Sequence, residues 1–171
     1  MEETPPLIVT LRLDQPSQEY FNELRRKYFP AHVNYLEAHL SLFHHLPSSL
    51  DFVDEALDEF ANRQPFDLGI SGVKNMGNGA AFVIESPKLM MIHAALQQAF
   101  KGYLISQDRH RLWPHITVQN KVTAFKAKQT TELLSADFIP FPCKAMGFDT
   151  WFYLKGPWQH RKTFLFQKDH C

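Results

Sequence analysis

The chain alternates short β-type runs with amphipathic helical stretches, and it does so twice. Leu7-Ile8-Val9-Thr10-Leu11-Arg12-Leu13 is β-branched and then alternating, which is the pattern of a strand. Ser17 then stands as an N-cap for a helix with Tyr20, Phe21, Leu24 and Tyr28 on one face, ended by Pro30. Ala38 to Phe43 predicts a second strand. Ser48 or Ser49 opens a helix with Val53, Ala56, Leu57 and Phe60 inward, and a third strand spans Leu68 to Val73. The run Asn75-Met76-Gly77-Asn78-Gly79 is a hairpin turn.

The order then begins again. Ala80 to Ile84 predicts a strand, and Ser86-Pro87 a capped helix start with Pro at the first helical position. Leu89, Ile92, Leu96, Phe100 and Tyr103 form its apolar stripe. A strand follows at His115 to Val118, then a weaker helix after Thr123, then strands near Lys144 to Phe148, Thr150 to Leu154 and Thr163 to Phe166. Laid over each other at a shift of about 75 residues, the two passes match His39 to His115, Pro65-Phe66 to Pro140-Phe141, and Gly72 to Gly147. A unit that long is no solenoid repeat. Two copies predict an α+β, duplicated, bilobal fold in a single domain of residues 1–171. Lobe one is about 1–79 and lobe two about 80–171, related by a pseudo-two-fold axis, with antiparallel sheets, outer helices and a central cleft.

The tetrapeptides His39-Leu40-Ser41-Leu42 and His115-Ile116-Thr117-Val118 occupy equivalent places in the two passes. On a strand, residues i and i+2 share a face. Each motif therefore sends an imidazole and a hydroxyl one way and two aliphatics the other, and a two-fold axis would bring the polar pairs together. With nine histidines in the chain, one His-x-Ser/Thr is expected by chance. The aliphatics at both alternate positions and the matched location carry the signal. Two imidazoles in opposite protonation states can act as general base and general acid around one phosphorus. Ser41 and Thr117 would stabilise charge on its non-bridging oxygens. His115 is assigned as base and His39 as acid for opening a cyclic phosphate.

On these residues the chain resembles the two-histidine (2H) phosphoesterase superfamily, in particular its bacterial 2′-5′ RNA ligase-like (LigT-like) branch. The resemblance spans essentially the whole chain. It implies that His39 and His115 are catalytic and that Ser41 and Thr117 hold the phosphate. It further implies 2′,3′-cyclic phosphodiesterase activity at RNA ends or nucleotides, and in some members reversible 2′-5′ ligation. Many relatives continue the first motif with Phe-Leu-Gly, where this chain has Phe43-His44-His45-Leu46-Pro47. Some place an Arg five residues after the second His; here that position is Asn120, with Lys121 beside it as the candidate for substrate charge. An ADP-ribose cyclic phosphate is an alternative substrate. A non-catalytic RNA-end or nucleotide-binding module is the alternative from another class, and two acid–base groups speak against it.

Other residues change the picture less. His44 and His45 read as a solvated strand edge, since adjacent side chains on a strand point apart and chelate one metal poorly. No His-Glu-x-x-His or Cys-x-x-Cys occurs, and neither metal nor cofactor is expected. Arg109-His110-Arg111 reads equally as a phosphate contact and as a solvated loop. Tyr35, Trp113, Trp151, Phe152 and Trp158 are candidates for base stacking, with core packing the commoner fate.

Composition narrows the partner. Eighteen basic residues balance eighteen acidic ones, which argues against a long nucleic-acid footprint and leaves an RNA end or a cyclic nucleotide. No apolar run reaches a membrane span. Cys143 and Cys171 are too few for a disulfide framework, and with no leader-like start the expected compartment is the cytoplasm and the expected state a monomer.

Overall fold

The computed structural model describes residues 4–168, so Cys171 lies outside the described residues. The elements run β1 (Leu7–Leu13), α1 (Gln15–Tyr28), β2 (Leu40–Leu46), α2 (Asp51–Phe60), β3 (Phe66–Asn75), β4 (Ala80–Glu85), α3 (Pro87–Ala99), α4 (Ser106–Arg109), β5 (His115–Gln119), α5 (Ala124–Ala136), β6 (Phe141–Tyr153) and β7 (Trp158–Leu165). All strand pairs are antiparallel, and the fold is α+β with a curled sheet whose order is β2-β1-β6-β3-β4-β5, β7 pairing β6. No helix among the described residues is long and apolar enough to cross a membrane.

Several elements differ from the sequence expectation for local reasons. Asp14, not Ser17, caps α1: its Oδ2 accepts from the Ser17 amide at 3.2 Å and the Ser17 hydroxyl at 2.9 Å. Neither Ser48 nor Ser49 caps α2. Leu50 holds the cap position, and Asp51 and Asp54 in the first turn complement the helix dipole instead. The two strands expected at 144–148 and 150–154 are one 13-residue strand, β6. Asp149 resembles an interruption in the sequence, yet it is buried and satisfied by Arg12 and Thr163. β7 starts earlier than expected, because its polar run Gln159 to Lys162 lies on an edge strand with side chains exposed or half-buried. Tyr103 lies beyond the end of α3 and is exposed rather than part of its stripe.

Strand register makes the duplication concrete. β1 pairs β2 through Val9–Phe43, Thr10–Ser41 and Leu11–Leu40, with a one-residue slip after the first. β4 pairs β5 through Ala80–Gln119, Ala81–Thr117 and Phe82–Ile116, with a slip at the same place. The third strands are exchanged: β6, from the second repeat, pairs β1, and β3, from the first, pairs β4. Where the exchanged strands meet, Phe66 faces Ala145, Leu68 faces Cys143 and Ile70 faces Phe141. Under the 75-residue shift the first and last pairs map onto each other and the middle pair onto itself. The pseudo-two-fold axis therefore crosses the sheet at Leu68–Cys143. Burial pushes the Cys143 thiol up to about 12, so it stays protonated and inert in the core.

Candidate active site

β2 and β5 stand at opposite ends of the strand order, yet the sheet curls enough to bring them into contact. Leu40, Leu42, Ile116 and Val118 are buried in the core, as the alternation predicts. His39, Ser41, His115 and Thr117 are half-buried and line one cavity of about 330 Å³. His39 lies inside the strand expected from sequence but immediately precedes the first residue of the observed β2, and it keeps the strand-like alternation.

The two imidazoles are held alike. Nδ1 of His39 lies 2.8 Å from the Glu37 carbonyl oxygen, and Nδ1 of His115 lies 2.8 Å from that of Trp113. A carbonyl only accepts, so each ring carries its proton on Nδ1 and leaves Nε2 with a free lone pair. In both cases the partner is two residues upstream, a contact the backbone makes by itself. Each ring also meets a tryptophan. His39 lies 4.6 Å from Trp158, and His115 stacks on Trp113 at 4.3 Å with the planes 21° apart.

The cleft disfavours positive charge on both rings. Burial pushes His39 down to about 4, aided by the positive charge of Arg25 and by His115 and His44, and opposed by the Glu37 carbonyl. Burial also lowers His115, with His44 and Lys74 adding to it against the Trp113 carbonyl. The neutral form of each is thus favoured in the cleft, His39 more strongly.

Three residues that the sequence does not single out brace the motif strands. Arg25 of α1, 5% exposed, donates from Nη1 to the Thr117 carbonyl at 3.1 Å and from Nε to Asn34 Oδ1 at 2.8 Å; burial lowers its guanidinium to about 10. His93 of α3 meets the Leu42 carbonyl through Nε2 at 2.9 Å, and burial lowers it too. Asp108 of α4 accepts from the His44 amide at 2.8 Å and faces its Nδ1 at 2.8 Å. Their partners on the motif strands lie 51 to 92 residues away in the chain, beyond any spacing rule.

The remaining sequence candidates divide. His44, expected at a solvated edge, lines the cavity instead, whereas His45 is exposed. His110 and Arg111 line the cavity and Arg109 does not. Lys121 is exposed, has a left-handed φ of 60° and is not among the lining residues. Trp113 has His115 on its ring and the Lys74 ammonium 4.8 Å above it, which makes it a poor platform for a base. Trp158 borders both this cavity and a larger one of about 620 Å³, which also includes Tyr35, Trp151, Arg12 and Asp149. Phe152 borders neither. Among the described residues, no group of three or more His, Cys, Asp or Glu is arranged to hold a metal ion.

A model of the 2′-5′ RNA ligase superfamily matches residues 13–156. The protein TT0787 of Thermus thermophilus has a similar crystal structure, with 15% identity and a TM-score of 0.67 over 96% of this chain and 100% of that one. LigT of E. coli in complex with 3′-AMP has 16% identity and a TM-score of 0.60 over 97% and 100%. LigT has also been crystallised with NADP+ and ATP. A structure described as a phosphoesterase has 15% identity and a TM-score of 0.63 over 97% and 100%. At these identities the likeness concerns the fold. No curated protein sequence shows a significant match.

Proposed function

The chain belongs to the 2′-5′ RNA ligase superfamily, and from that premise we propose that it hydrolyses 2′,3′-cyclic phosphates of RNA ends or nucleotides, using His39 and His115 as base and acid. The observation that carries this reading is the matched pair of imidazoles. Both are anchored by Nδ1 to a carbonyl, and both border one cavity together with the Ser41 and Thr117 hydroxyls.

Sequence alone assigns His115 as the base and His39 as the acid. The cleft electrostatics support the opposite assignment. His39, pushed down to about 4, starts neutral and accepts through Nε2, whereas His115 is the less strongly depressed of the two and holds a proton more readily. In the proposed step a water oxygen attacks phosphorus and gives its proton to His39 Nε2. The bond from phosphorus to one ribose oxygen breaks, and His115 Nε2–H protonates that oxygen. Ser41 and Thr117 donate to the non-bridging oxygens, where each donor contributes a few kcal/mol in comparable sites. A ribose hydroxyl in place of water, with the same two proton transfers, makes the same pair a ligase.

The nucleoside would occupy the larger cavity that meets the site at His39 and Trp158, where Tyr35, Trp151 and Trp158 offer aromatic surface. That cavity also favours one further reading, an ADP-ribose cyclic phosphate, whose body is bulkier than a mononucleotide's. A panel of 2′,3′-cyclic nucleotides, cyclic-phosphate oligonucleotides and ADP-ribose cyclic phosphate tests both readings. Release of a phosphomonoester from the nucleotide or RNA members is expected. Turnover confined to the ADP-ribose member selects the second reading, and turnover of none rejects both.

A further inference from the structure

We propose that His44, clamped by Asp108, is a third substrate-facing imidazole that binds a non-bridging phosphate oxygen, a role that rests on the phosphoester reading above and extends it.

Simple alternation along β2 would carry the polar face from His39 and Ser41 to Phe43. The one-residue slip between the Val9–Phe43 and Thr10–Ser41 pairs changes that. Phe43 is fully buried, stacked on His93 at 4.8 Å and edge-on to Phe100, and His44 borders the cavity in its stead. The bulge thus re-aims one more imidazole toward the place where the phosphate would lie.

Asp108 then fixes that ring. Its side chain is 1% exposed, and its two oxygens are divided between main chain and imidazole. Oδ2 accepts from the His44 and His45 amides at 2.8 and 3.2 Å, and Oδ1 meets His44 Nδ1 at 2.8 Å. Gln97 of α3 ties the same loop down by donating to the carbonyls of Asp108 and His110 at 2.9 and 2.8 Å. With Nδ1 turned to the carboxylate, Nε2 is the polar atom the ring has left for a ligand. A histidine on a solvated edge would not require a buried acid behind it.

Charge completes the argument. The titratable and charged groups around His44 are His39 before β2, His93 of α3, Asp108 of α4, His110 and Arg111 after it, and His115 of β5. Among these histidines, His44 is the one hydrogen-bonded to a carboxylate in the described residues; His39, His93 and His115 meet neutral carbonyls. Asp108 thus sets a buried carboxylate directly behind the His44 ring. An imidazolium Nε2–H there gives a phosphate anion a charge-assisted donor without taking a proton from either reacting group.

The test uses inorganic phosphate as probe and calorimetric binding between pH 5.5 and 8. The background is a His39→Ala/His115→Ala variant, so the other two imidazoles cannot contribute. This variant is expected to bind phosphate more tightly as pH falls. Adding His44→Gln should weaken binding about tenfold at pH 5.5, the worth of one hydrogen bond to a charged group, and flatten the pH dependence. His44→Lys in the same background should bind with little pH dependence. Unchanged affinity and unchanged pH dependence after His44→Gln would overturn the proposal. Should His44→Gln fail to fold, the ring-nitrogen NMR signals of His44 in the unaltered protein decide: a shift of Nε2 on phosphate addition supports the role, and none overturns it. Turnover plays no part in these readouts. Inactivity toward every cyclic phosphate, with His44-dependent phosphate binding intact, would count against the proposed reaction and for this binding role.

Discussion

Arg25 of the first repeat donates to the carbonyl oxygen of Thr117 in the second, across 92 residues of sequence. His93 of the second repeat makes the reciprocal contact with Leu42 of the first. Each repeat's leading helix thus braces the other repeat's histidine strand. The two halves of the site are held in register by hydrogen bonds as well as by the shared sheet.

Replacing Arg25 by Met should therefore do two separable things. It leaves the Thr117 carbonyl and Asn34 without a buried donor, which destabilises by roughly 1–3 kcal/mol, read as a shift in urea midpoint. It also removes a positive charge that helps to depress His39. The His39 pKa should rise, and the acid limb of kcat/KM should move to higher pH. A destabilised variant with an unmoved acid limb would show that Arg25 acts on the fold alone.

The pH profile itself follows from the two imidazoles. His39 must be neutral and His115 protonated, so kcat/KM should fall below about 4, as His39 takes up a proton. It should fall again as pH rises through the lowered pKa of His115, which lies below the ordinary 6.5. The optimum is expected on the acid side of neutrality. Loss of the acid limb in His39→Ala and of the alkaline limb in His115→Ala checks the assignment of roles. The opposite pattern would restore the assignment read from sequence.

Stability should respond to pH in a definite direction. His39, His93 and His115 all have folded pKa values below the ordinary 6.5. Above that value neither the folded nor the unfolded chain binds these protons, and no linkage acts. As pH falls below 6.5 the unfolded chain takes up protons that the folded chain refuses. Stability is therefore lost progressively down to about 4, where folded His39 protonates. Thermal melts from pH 7.5 to 4.5 should show a falling midpoint, with a shallower fall in His39→Ala.

Gly79 closes the β3–β4 hairpin, where a Cβ would come within 1.8 Å of the Gln119 carbonyl oxygen. Gly72, by contrast, has open space around that position. Gly79→Ala should cost about 1–3 kcal/mol or more, since a backbone atom cannot step aside, and it should reduce activity because β4 carries β5 and His115. Gly72→Ala should be close to neutral. Chemical denaturation of the two variants side by side reads the difference.

How much of this is legible in the sequence depends on whether the relevant contact is local. Alternation places β1 within its true ends, and Ser86-Pro87 marks the start of α3, because strand period and N-cap chemistry act over a few residues. The pairing of His39 with His115 is legible through the internal repeat. The exchange of third strands is not, since nothing local distinguishes β3 bonded to β4 from β3 bonded to β1. Asp149 looks like a break in β6 because its partners, Arg12 and Thr163, lie on other strands. His44 reads as solvated because it stands at the end of the predicted strand, and the bulge that turns it to the cavity leaves no local mark in the sequence. Asp108 offers only its place beside Arg109-His110-Arg111, and its partner is 64 residues earlier.

The central claim is that His39 and His115 together turn over a cyclic phosphate. It is tested most directly by following a 2′,3′-cyclic nucleotide to its monophosphate with the unaltered protein, His39→Ala and His115→Ala, each checked for an intact fold by thermal melting. The account predicts turnover by the unaltered protein and a loss of about 10²–10⁴-fold for each histidine variant, the usual range for one acid–base group. Ser41→Ala and Thr117→Ala are expected to lose on the order of 10²-fold. Full activity in either histidine variant, with the fold unchanged, would contradict the account at its root.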